Sequence, residues 1–465
     1  MEFATTMYEK DRYSVIGKSR PRTDAEKQVT GKVRYVSDML LPGMLYAKGV
    51  YSTEHHAEIL SIDTSAAEAF PGVRAVVTHE DVPYNHFGKT IDDMHALAER
   101  KVRYKGEMVA AVAAESYDAA CRAAELVKVA YKRLPAVFDP REAMKEGAPV
   151  IHDELQGKGY EGNIHTTPWS GELYQRLRCG DIEEGFRQSD VVLEHTFATC
   201  PQKALPIENS ATVAVPDGSD GVTLWTGLQG VFANAESIAK VLCLPFSKVR
   251  IICPPTGGAF GEKDLITTEP ATAILAIKTG RPVKMALTTR EHLLSTGTKH
   301  PMYLTYTLGA KNDGTLMALK RLCITGAGAY RSVGILVTVK TTYWGCGPYN
   351  IPNQYADCYV VATNKQTGCA MRGFGMTQPT FAMEVMMDMM AEKLCLDPLE
   401  IRKRNIFKDG DRLPTGQAVR ACGIGLALDK VAELSNWQAA PAPQGSGGLG
   451  FRVRGLGRNV QETRE

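Results

Sequence analysis

The sequence predicts an α+β fold in which a small N-terminal unit precedes a larger α/β region. At 465 residues the chain exceeds what one hydrophobic core usually supports, so two or three domains are expected. Residues 26–135 alternate short β-type runs with one helical stretch. Residues 171–437 alternate strand candidates with helices around two glycine-rich turns.

In the N-terminal unit, an extended arm over residues 1–25 is followed by the β-type runs 32–36, 44–51, 73–78 and 108–113. Helical periodicity then covers 116–126, and a closing strand is predicted at 127–132. Residues 136–170 are rich in Pro, Gly and His and show little periodicity, which predicts a connector that crosses a domain surface.

In the larger region, a strand at 223–225, an amphipathic helix at 233–242 and a strand at 249–253 lead into the first glycine-rich turn. A helix over 381–394 carries methionines at helical spacing, which we interpret as packing rather than as a site: Met383, Met386, Met387 and Met390. Residues 438–450 form a low-complexity linker, and the chain ends at 465.

Composition excludes several classes of function. The contents of 44% hydrophobic and 23% charged residues are ordinary for a soluble globular protein. A net charge of +2 is too small an excess of positive charge to indicate binding to nucleic acid. The N-terminus lacks a signal-peptide pattern, and apolar runs such as 108–114 are too short to cross a bilayer. We therefore expect a cytoplasmic protein with no membrane or nucleic-acid partner.

Eleven cysteines are scattered singly along the chain. In a cytosolic protein such cysteines are expected to be mostly buried thiols. No Cys-x-x-Cys spacing exists to hold zinc or an iron–sulfur cluster. Electrons that leave this protein would therefore need another chain to carry them.

The two glycine-rich turns are residues 256–264 (TGGAFGEKD) and 368–375 (GCAMRGFG). Neither fits a Walker A loop nor a G-x-G-x-x-G dinucleotide fingerprint. Each combines backbone that can approach a ligand closely with an aromatic ring and a charged side chain, which suits a bulky, anionic, planar cofactor. The alternative is a plain tight turn between a strand and a helix.

With Gln229, which lies 260 − 229 = 31 positions before Phe260, these turns resemble the molybdopterin-binding subunit of the xanthine dehydrogenase and aldehyde oxidase family. The strings at 29–32, 41–45 and 71–73 are similar to that family's a/b hammerhead domain. The resemblance implies a hammerhead domain at 26–135, a first molybdenum cofactor-binding domain at 171–437, and at 438–465 a linker with the truncated start of a second molybdenum domain.

The resemblance implies five cofactor-binding residues: Gln229, Gly258, Phe260, Gly261 and Arg372. Of these, Gln229, Phe260 and Arg372 would lie around the molybdenum without being direct ligands. The glycines would free backbone N–H groups, Gln229 would donate a hydrogen bond to an oxo group, and Arg372 would grip a phosphate or a substrate oxygen. Roles outside a site remain open for both polar side chains, because Gln229 can be a surface residue and Arg372 a partner in a surface salt bridge.

Three more residues would face the substrate. Asp264 would accept from ring N–H groups, Lys340 would stabilise negative charge on the substrate, and Phe374 would stand against a flat heteroaromatic ring, or simply pack in the core. Glu208 lies in a segment that often skirts the pocket, with a structural carboxylate as its alternative. The histidines His55, His56, His292 and His300 lack metal-ligand spacing and are interpreted as structural.

The implied cofactor is molybdopterin with molybdenum, in its plain or cytosine dinucleotide form, with no iron–sulfur cluster or FAD in this chain. No catalytic residue is identified in the chain itself, since the family's general-base glutamate belongs to the second molybdenum domain. The resemblance therefore implies a split-subunit enzyme, of the type of nicotinate dehydrogenase, active only with a second molybdopterin-binding subunit, a [2Fe–2S] subunit and an FAD subunit.

The implied reaction inserts water-derived oxygen into an N-heteroaromatic substrate, xanthine or another purine first and nicotinate second. Aldehyde or carbon monoxide oxidation is the alternative, because Cys369 lies three residues before Arg372, near where carbon monoxide dehydrogenases place a copper-binding cysteine. The surrounding residues do not match that loop. A truncated, non-catalytic remnant is the third possibility.

Overall fold

The computed structural model describes residues 13–16, 18–218 and 221–438. The sequence predictions for the linker and the start of a second molybdenum domain therefore lie, beyond residue 438, outside the described residues. Within these ranges, no helix is long and apolar enough to cross a membrane.

The described residues form the following strands: β1 (Leu45–Tyr51), β2 (Ala57–Asp63), β3 (Val73–Val77), β4 (Lys101–Val102), β5 (Met108–Ala114), β6 (Lys128–Arg133), β7 (Tyr160–Glu161), β8 (Ile164–His165), β9 (Gln175–Cys179), β10 (Val191–Thr199), β11 (Ala211–Asp217), β12 (Gly221–Thr226), β13 (Val249–Ile252), β14 (Val283–Ala286), β15 (Met302–Ala310), β16 (Leu316–Gly328) and β17 (Asn353–Ala362).

The helices of the same residues are α1 (Ala25–Val29), α2 (Ser65–Glu68), α3 (Tyr117–Leu126), α4 (Pro140–Ala143), α5 (Ile182–Arg187), α6 (Val231–Val241), α7 (Glu269–Thr279), α8 (Thr289–Ser295), α9 (Gly334–Trp344), α10 (Thr377–Lys393), α11 (Pro398–Asn405) and α12 (Ile424–Leu434). Short 3₁₀ turns lie at Val36–Asp38, His79–Asp81, Asp153–Leu155, Phe246–Lys248 and Glu262–Asp264.

A mixed sheet joins the N-terminal unit to the larger region. Its strand order is β13, β12, β11, β14, β1, β5, β3. The joint is the parallel pairing of β1 with β14, where Leu45 lies opposite Val283. Helix α7 packs against this sheet, and all of its residues from Glu269 to Ala276 are buried. One continuous core therefore supports both segments.

A second sheet has the order β10, β15, β16, β17, β8, β7, with β9 also paired to β17. Helix α10 packs on β15, and the four methionines of its stripe are fully buried, which agrees with their interpretation as packing. A small sheet of β4, β2 and β6 completes the N-terminal unit.

Several predicted elements need correction. Residues 32–36 form no strand, because Val36 instead opens a 3₁₀ turn closed by Asp38, whose carboxylate accepts from the N–H of Tyr35 at 3.0 Å. The 136–170 segment is not a bare connector, since it contains α4, β7 and β8 and buries Ile151 and Tyr160 completely.

The expectation of mostly buried cysteines was also wrong. All eleven cysteines are unpaired, but only four of them are buried: Cys323, Cys346, Cys358 and Cys369. Four others are exposed, namely Cys200, Cys243, Cys253 and Cys395. Composition gives no information about where along the fold a cysteine falls, and the exposed ones lie in loops and turns.

Candidate functional site

The first glycine loop follows β13 and turns sharply through left-handed backbone. Gly258 and Gly261 both have φ near +102°, and Phe260 between them has φ +53°. A Cβ atom on Gly261 would lie 2.7 Å from the carbonyl oxygen of Ala370 in the second glycine loop. Gly261 is therefore required both by its backbone conformation and by the close approach of the two loops.

The two loops are hydrogen-bonded to each other. The backbone N–H of Arg372 donates to the carbonyl oxygen of Phe260 at 2.8 Å. Phe374, with φ +46°, donates its N–H to the carbonyl of Met371 at 2.7 Å, which folds the second loop into a tight turn before helix α10. The rings of Phe260 and Phe374 and the guanidinium of Arg372 are consequently held on one structural unit.

Gln229 joins the same unit from the end of β12. Its side-chain Oε1 accepts the backbone N–H of Gly261 at 2.9 Å, and its own backbone N–H donates to the carbonyl of Lys263 at 2.8 Å. Because a backbone N–H can only donate, the oxygen of the amide must face Gly261. The NH₂ group therefore faces away from the loop and is oriented as a hydrogen-bond donor.

Glu208 stabilises the first loop through two contacts of its carboxylate. Its Oε2 accepts the N–H of Gly257 at 2.7 Å and pairs with Nζ of Lys263 at 2.8 Å. The side chains of Lys263 and Glu208 are only 3% and 8% exposed. The structure thus supports the structural alternative for Glu208, whose carboxylate is engaged in holding the loop.

A second buried group lies behind the loop. Glu262 Oε1 accepts from the hydroxyl of Thr296 at 2.5 Å and lies 3.0 Å from Nε2 of His292. Burial acts to raise the pKa of Glu262, but the interactions with His292 and Thr296 outweigh it and lower that pKa. Burial also lowers the pKa of nearby Lys203 to about 8, and its ammonium donates to the carbonyl of Thr296 at 2.6 Å.

A concavity of about 560 Å³ opens over the joined loops. It is lined by Gln202, Lys203, Ala204, Leu205, Phe260, Met371 and Arg372. Phe260 is 49% exposed, and Arg372 is exposed as well. An aromatic face beside two cationic side chains suits a planar, anionic ligand.

Two of the three predicted substrate residues lie together near the second loop. The ammonium of Lys340, on α9, lies 5.3 Å from the ring centroid of Phe374. Asp264, the last residue of the first loop, forms an ion pair with Lys89. Its other carboxylate oxygen lies beside Gly230, the left-handed residue at which α6 begins.

Sequence reasoning missed Lys89, which comes from the N-terminal unit, 175 residues before its partner. It also missed the group of Lys203, Glu262, His292 and Thr296, which carries no motif spacing. Lys263 lies inside the first glycine loop, and its position next to Asp264 gives no sign that Lys263 is buried and Asp264 partly exposed.

Cys369, the second residue of the second loop, is 2% exposed and packs against Gly297. Burial raises the pKa of its thiol well above the ordinary range. Such a cysteine is held protonated, which disfavours metal binding through its sulfur.

Comparison with known proteins identifies the family of both segments. Residues 165–406 match the family described as molybdopterin cofactor-binding domain, and residues 30–135 match the aldehyde oxidase and xanthine dehydrogenase a/b hammerhead domain. A Bacillus subtilis protein named as a probable xanthine dehydrogenase subunit is 38% identical over 93% of this chain. This chain spans 58% of the length of that relative.

The nicotinate dehydrogenase large molybdopterin subunit of Eubacterium barkeri is 34% identical over 90% of this chain, which covers 96% of it. Among solved structures, the aldehyde oxidoreductase of Desulfovibrio gigas superposes with a TM-score of 0.85 at 32% identity. That match covers 90% of this chain and 46% of the aldehyde oxidoreductase chain.

Proposed function

Because this chain belongs to the molybdopterin-binding family of the xanthine dehydrogenases and aldehyde oxidases, we propose that it is the cofactor-binding part of a molybdenum hydroxylase acting on an N-heteroaromatic substrate. The observation that carries the proposal is the orientation of Gln229. Its amide oxygen is occupied by Gly261, and its NH₂ group faces outward beside the two joined loops.

The residues present fit a molybdopterin cofactor. The left-handed Gly258 and Gly261 bring backbone close to the ligand space, and Gln229 offers a neutral donor that can hold an oxo ligand without changing the charge of the metal. Arg372 offers paired donors for a phosphate or a substrate oxygen. When bound, the cofactor would supply the two-electron oxidation of carbon; these residues would bind and orient it.

The form of the cofactor, plain or cytosine dinucleotide, belongs to the same proposal and is decided by analysis of the nucleotide released on denaturation. The protein would work with a second molybdopterin-binding subunit that supplies the general-base glutamate, and with [2Fe–2S] and FAD subunits that take the electrons. Support comes from the coverage of 96% of a relative that is itself named a large molybdopterin subunit.

For the substrate we propose a purine of the xanthine type. Lys340 beside Phe374 combines a cation with an aromatic face, an arrangement that suits a flat ring on which negative charge develops. A simple aliphatic aldehyde offers no ring for Phe374 and less charge for Lys340, so placing both there for such a substrate would bring little gain. The 38% identity to a relative named for xanthine dehydrogenase supports the same choice.

Nicotinate is the second candidate, because the relative covered almost completely is a nicotinate dehydrogenase subunit. Nicotinate carries a carboxylate, for which Lys340 or Arg372 is a suitable partner. Carbon monoxide oxidation through a copper-bound Cys369 is disfavoured by the burial of that thiol.

The test is to purify the protein from its native host together with its partners. Molybdenum content and steady-state constants are then measured on xanthine, hypoxanthine, nicotinate and benzaldehyde. We expect about one molybdenum per chain and a kcat/KM that is highest for a purine. Absence of molybdenum from an intact complex would overturn the proposal, a preference for nicotinate would favour the second candidate, and a preference for benzaldehyde would exclude both heteroaromatic substrates.

A further inference from the structure

The N-terminal unit contains a short hairpin whose base brings two histidines together. Phe87 and Met94 exchange both backbone hydrogen bonds, at 2.9 and 3.0 Å. The next residues outward, His86 and His95, are therefore opposite each other, with their side chains on the same face. Their ring centroids lie 4.7 Å apart.

Glu99 completes the group from the segment that leaves the hairpin. Its Oε2 lies 3.8 Å from Nε2 of His86. One nitrogen of each imidazole and one carboxylate oxygen of Glu99 lie within 4.8 Å of one another. The side-chain amide of Asn85, which also bonds the backbone of Leu97, reaches Glu99 at 3.4 Å and orients the carboxylate.

The contact of His95 with Tyr330 determines which nitrogen of the imidazole carries the hydrogen. The hydroxyl of Tyr330 donates to Glu107, so its oxygen can only accept from Nδ1 of His95, which lies 3.4 Å away. The lone pair of the imidazole is then on Nε2.

We propose that His86, His95 and Glu99 form a binding site for a divalent transition-metal ion of the zinc class. Two neutral imidazoles and one carboxylate are a ligand set that Zn²⁺ favours, with a fourth position left for water. The bond from the far nitrogen of His95 to Tyr330 is the kind of support that metal-ligating histidines usually have.

The ligands must close slightly around an ion. Ligand atoms of a tetrahedral zinc site lie about 3.3 Å apart, as bond lengths of about 2.0 Å require. The side chains of His86 and Glu99 are 41% and 35% exposed, so they can rotate inward without disturbing the core. His95 is held in place by Tyr330 and acts as the fixed ligand.

The charges around the site permit a cation. Arg103 is a buried cation whose charge acts on His95, and it pairs with Glu154 at 2.5 Å while lying beside Glu107. Lys240, over the ring of Tyr84, is paired with Asp92. The two cations are thus compensated by neighbouring carboxylates, whereas the carboxylate of Glu99 faces the histidines.

An ion at this position would fasten the base of the hairpin whose tip carries Lys89. Lys89 forms the ion pair with Asp264 beside the glycine loop. The metal would therefore hold the N-terminal unit's contact with the wall of the candidate site, a positioning role separate from the molybdenum cofactor.

The test uses the full chain, purified without a histidine tag and treated with chelator. Its thiols are first blocked with N-ethylmaleimide, because four exposed cysteines can bind zinc on their own. Zn²⁺ binding is measured by calorimetry and by metal analysis after dialysis, with Co²⁺ absorption to report nitrogen and oxygen ligands. The variants are His86→Ala and Glu99→Gln, and His55→Ala removes an imidazole outside the group as the matched control.

We expect one Zn²⁺ per chain, with affinity lowered at least about 10-fold in each site variant and unchanged in His55→Ala. Mg²⁺ should not compete, since it prefers oxygen ligands. Equal melting temperatures of the metal-free proteins would show that the variants fold. Substoichiometric binding, or binding that both site variants retain, would mean adventitious zinc and would overturn the proposal.

Discussion

The backbone N–H of Arg372 donates to the carbonyl oxygen of Phe260, 112 residues earlier in the chain, at 2.8 Å. This bond makes the two glycine loops one structure, although one follows a strand of the first sheet and the other precedes helix α10, which packs on the second. The site thus lies where the two halves of the larger region meet, and its geometry depends on how closely the loops approach.

The first prediction concerns that approach. Gly261→Ala should destabilise the protein more than Gly410→Ala, measured by denaturant unfolding. Both glycines have φ above +90°, but a Cβ atom on Gly410 meets nothing within 4 Å whereas one on Gly261 meets Ala370. The shared backbone strain costs about 1–2 kcal/mol, and the clash adds a further amount of about 1–3 kcal/mol. Equal losses in the two variants would show that the loops do not touch as described.

The second prediction separates the two ends of the Gln229 amide. In the assembled enzyme, Gln229→Ala should lower turnover by about 10- to 1000-fold with molybdenum retained, because one preorganised donor is lost. Gln229→Glu keeps the oxygen that accepts from Gly261 but loses the NH₂ donor. It should be as slow as Gln229→Ala. If Gln229→Glu restores wild-type turnover, the residue only braces the loop.

The third prediction concerns the brace under the first loop. Glu208→Gln leaves the buried ammonium of Lys263 without its counter-charge, which should cost about 3 kcal/mol of unfolding free energy. Glu58→Gln breaks an ion pair with Lys132 whose side chains are 41% and 62% exposed, and should cost a small fraction of that. Thermal or urea unfolding of both variants checks the difference. Similar small losses would mean that the Glu208 pair is effectively solvated.

The fourth prediction is a dependence of stability on pH. Burial lowers the pKa of His300, which packs against Gly368 of the second loop, to about 4. The unfolded chain takes up this proton near pH 6.5, so the stabilisation is complete above pH 6.5 and is lost as the pH falls toward 4.

The size of that loss is about 3 kcal/mol for a shift from about 6.5 to about 4. His300→Gln should therefore flatten the fall in unfolding free energy between about pH 7 and pH 4, whatever its effect at neutral pH. His55→Gln, at a position that is not buried, should leave the slope unchanged. Parallel pH profiles for wild type and His300→Gln would contradict the assignment.

The sequence was informative where local chemistry decides the structure. The strand into the first glycine loop, the α3 helix capped by Ser116 and the buried methionines of α10 follow from periodicity and turn residues. The family and the hammerhead and cofactor-binding architecture, predicted from short motifs, were confirmed. The roles of Gln229, Phe260 and Arg372 stay predictions.

What the sequence did not predict are contacts across long separations. The pairing of β1 with β14, which makes one sheet of two segments, joins Leu45 to Val283. The Lys89–Asp264 ion pair and the hairpin that brings His86 to His95 also depend on tertiary contacts. Residues 32–36 alternate like a strand, but the Asp38 side chain competes for the backbone N–H of Tyr35 and a 3₁₀ turn results.

The fifth prediction concerns substrate choice. Lys340 lies over Phe374, so a flat ring that packs on Phe374 would bring its reacting edge close to the ammonium. Negative charge on the ring nitrogen or exocyclic oxygen grows as the neighbouring carbon is attacked, so the ammonium should stabilise the transition state more than the bound substrate. Lys340→Ala should thus lower kcat for xanthine more than it raises KM, and Lys340→Arg, which keeps the charge, should recover part of the loss. Steady-state constants of the assembled enzyme on xanthine and benzaldehyde decide the matter, since a Lys340→Ala variant that oxidises xanthine at the wild-type rate would remove Lys340 from the site.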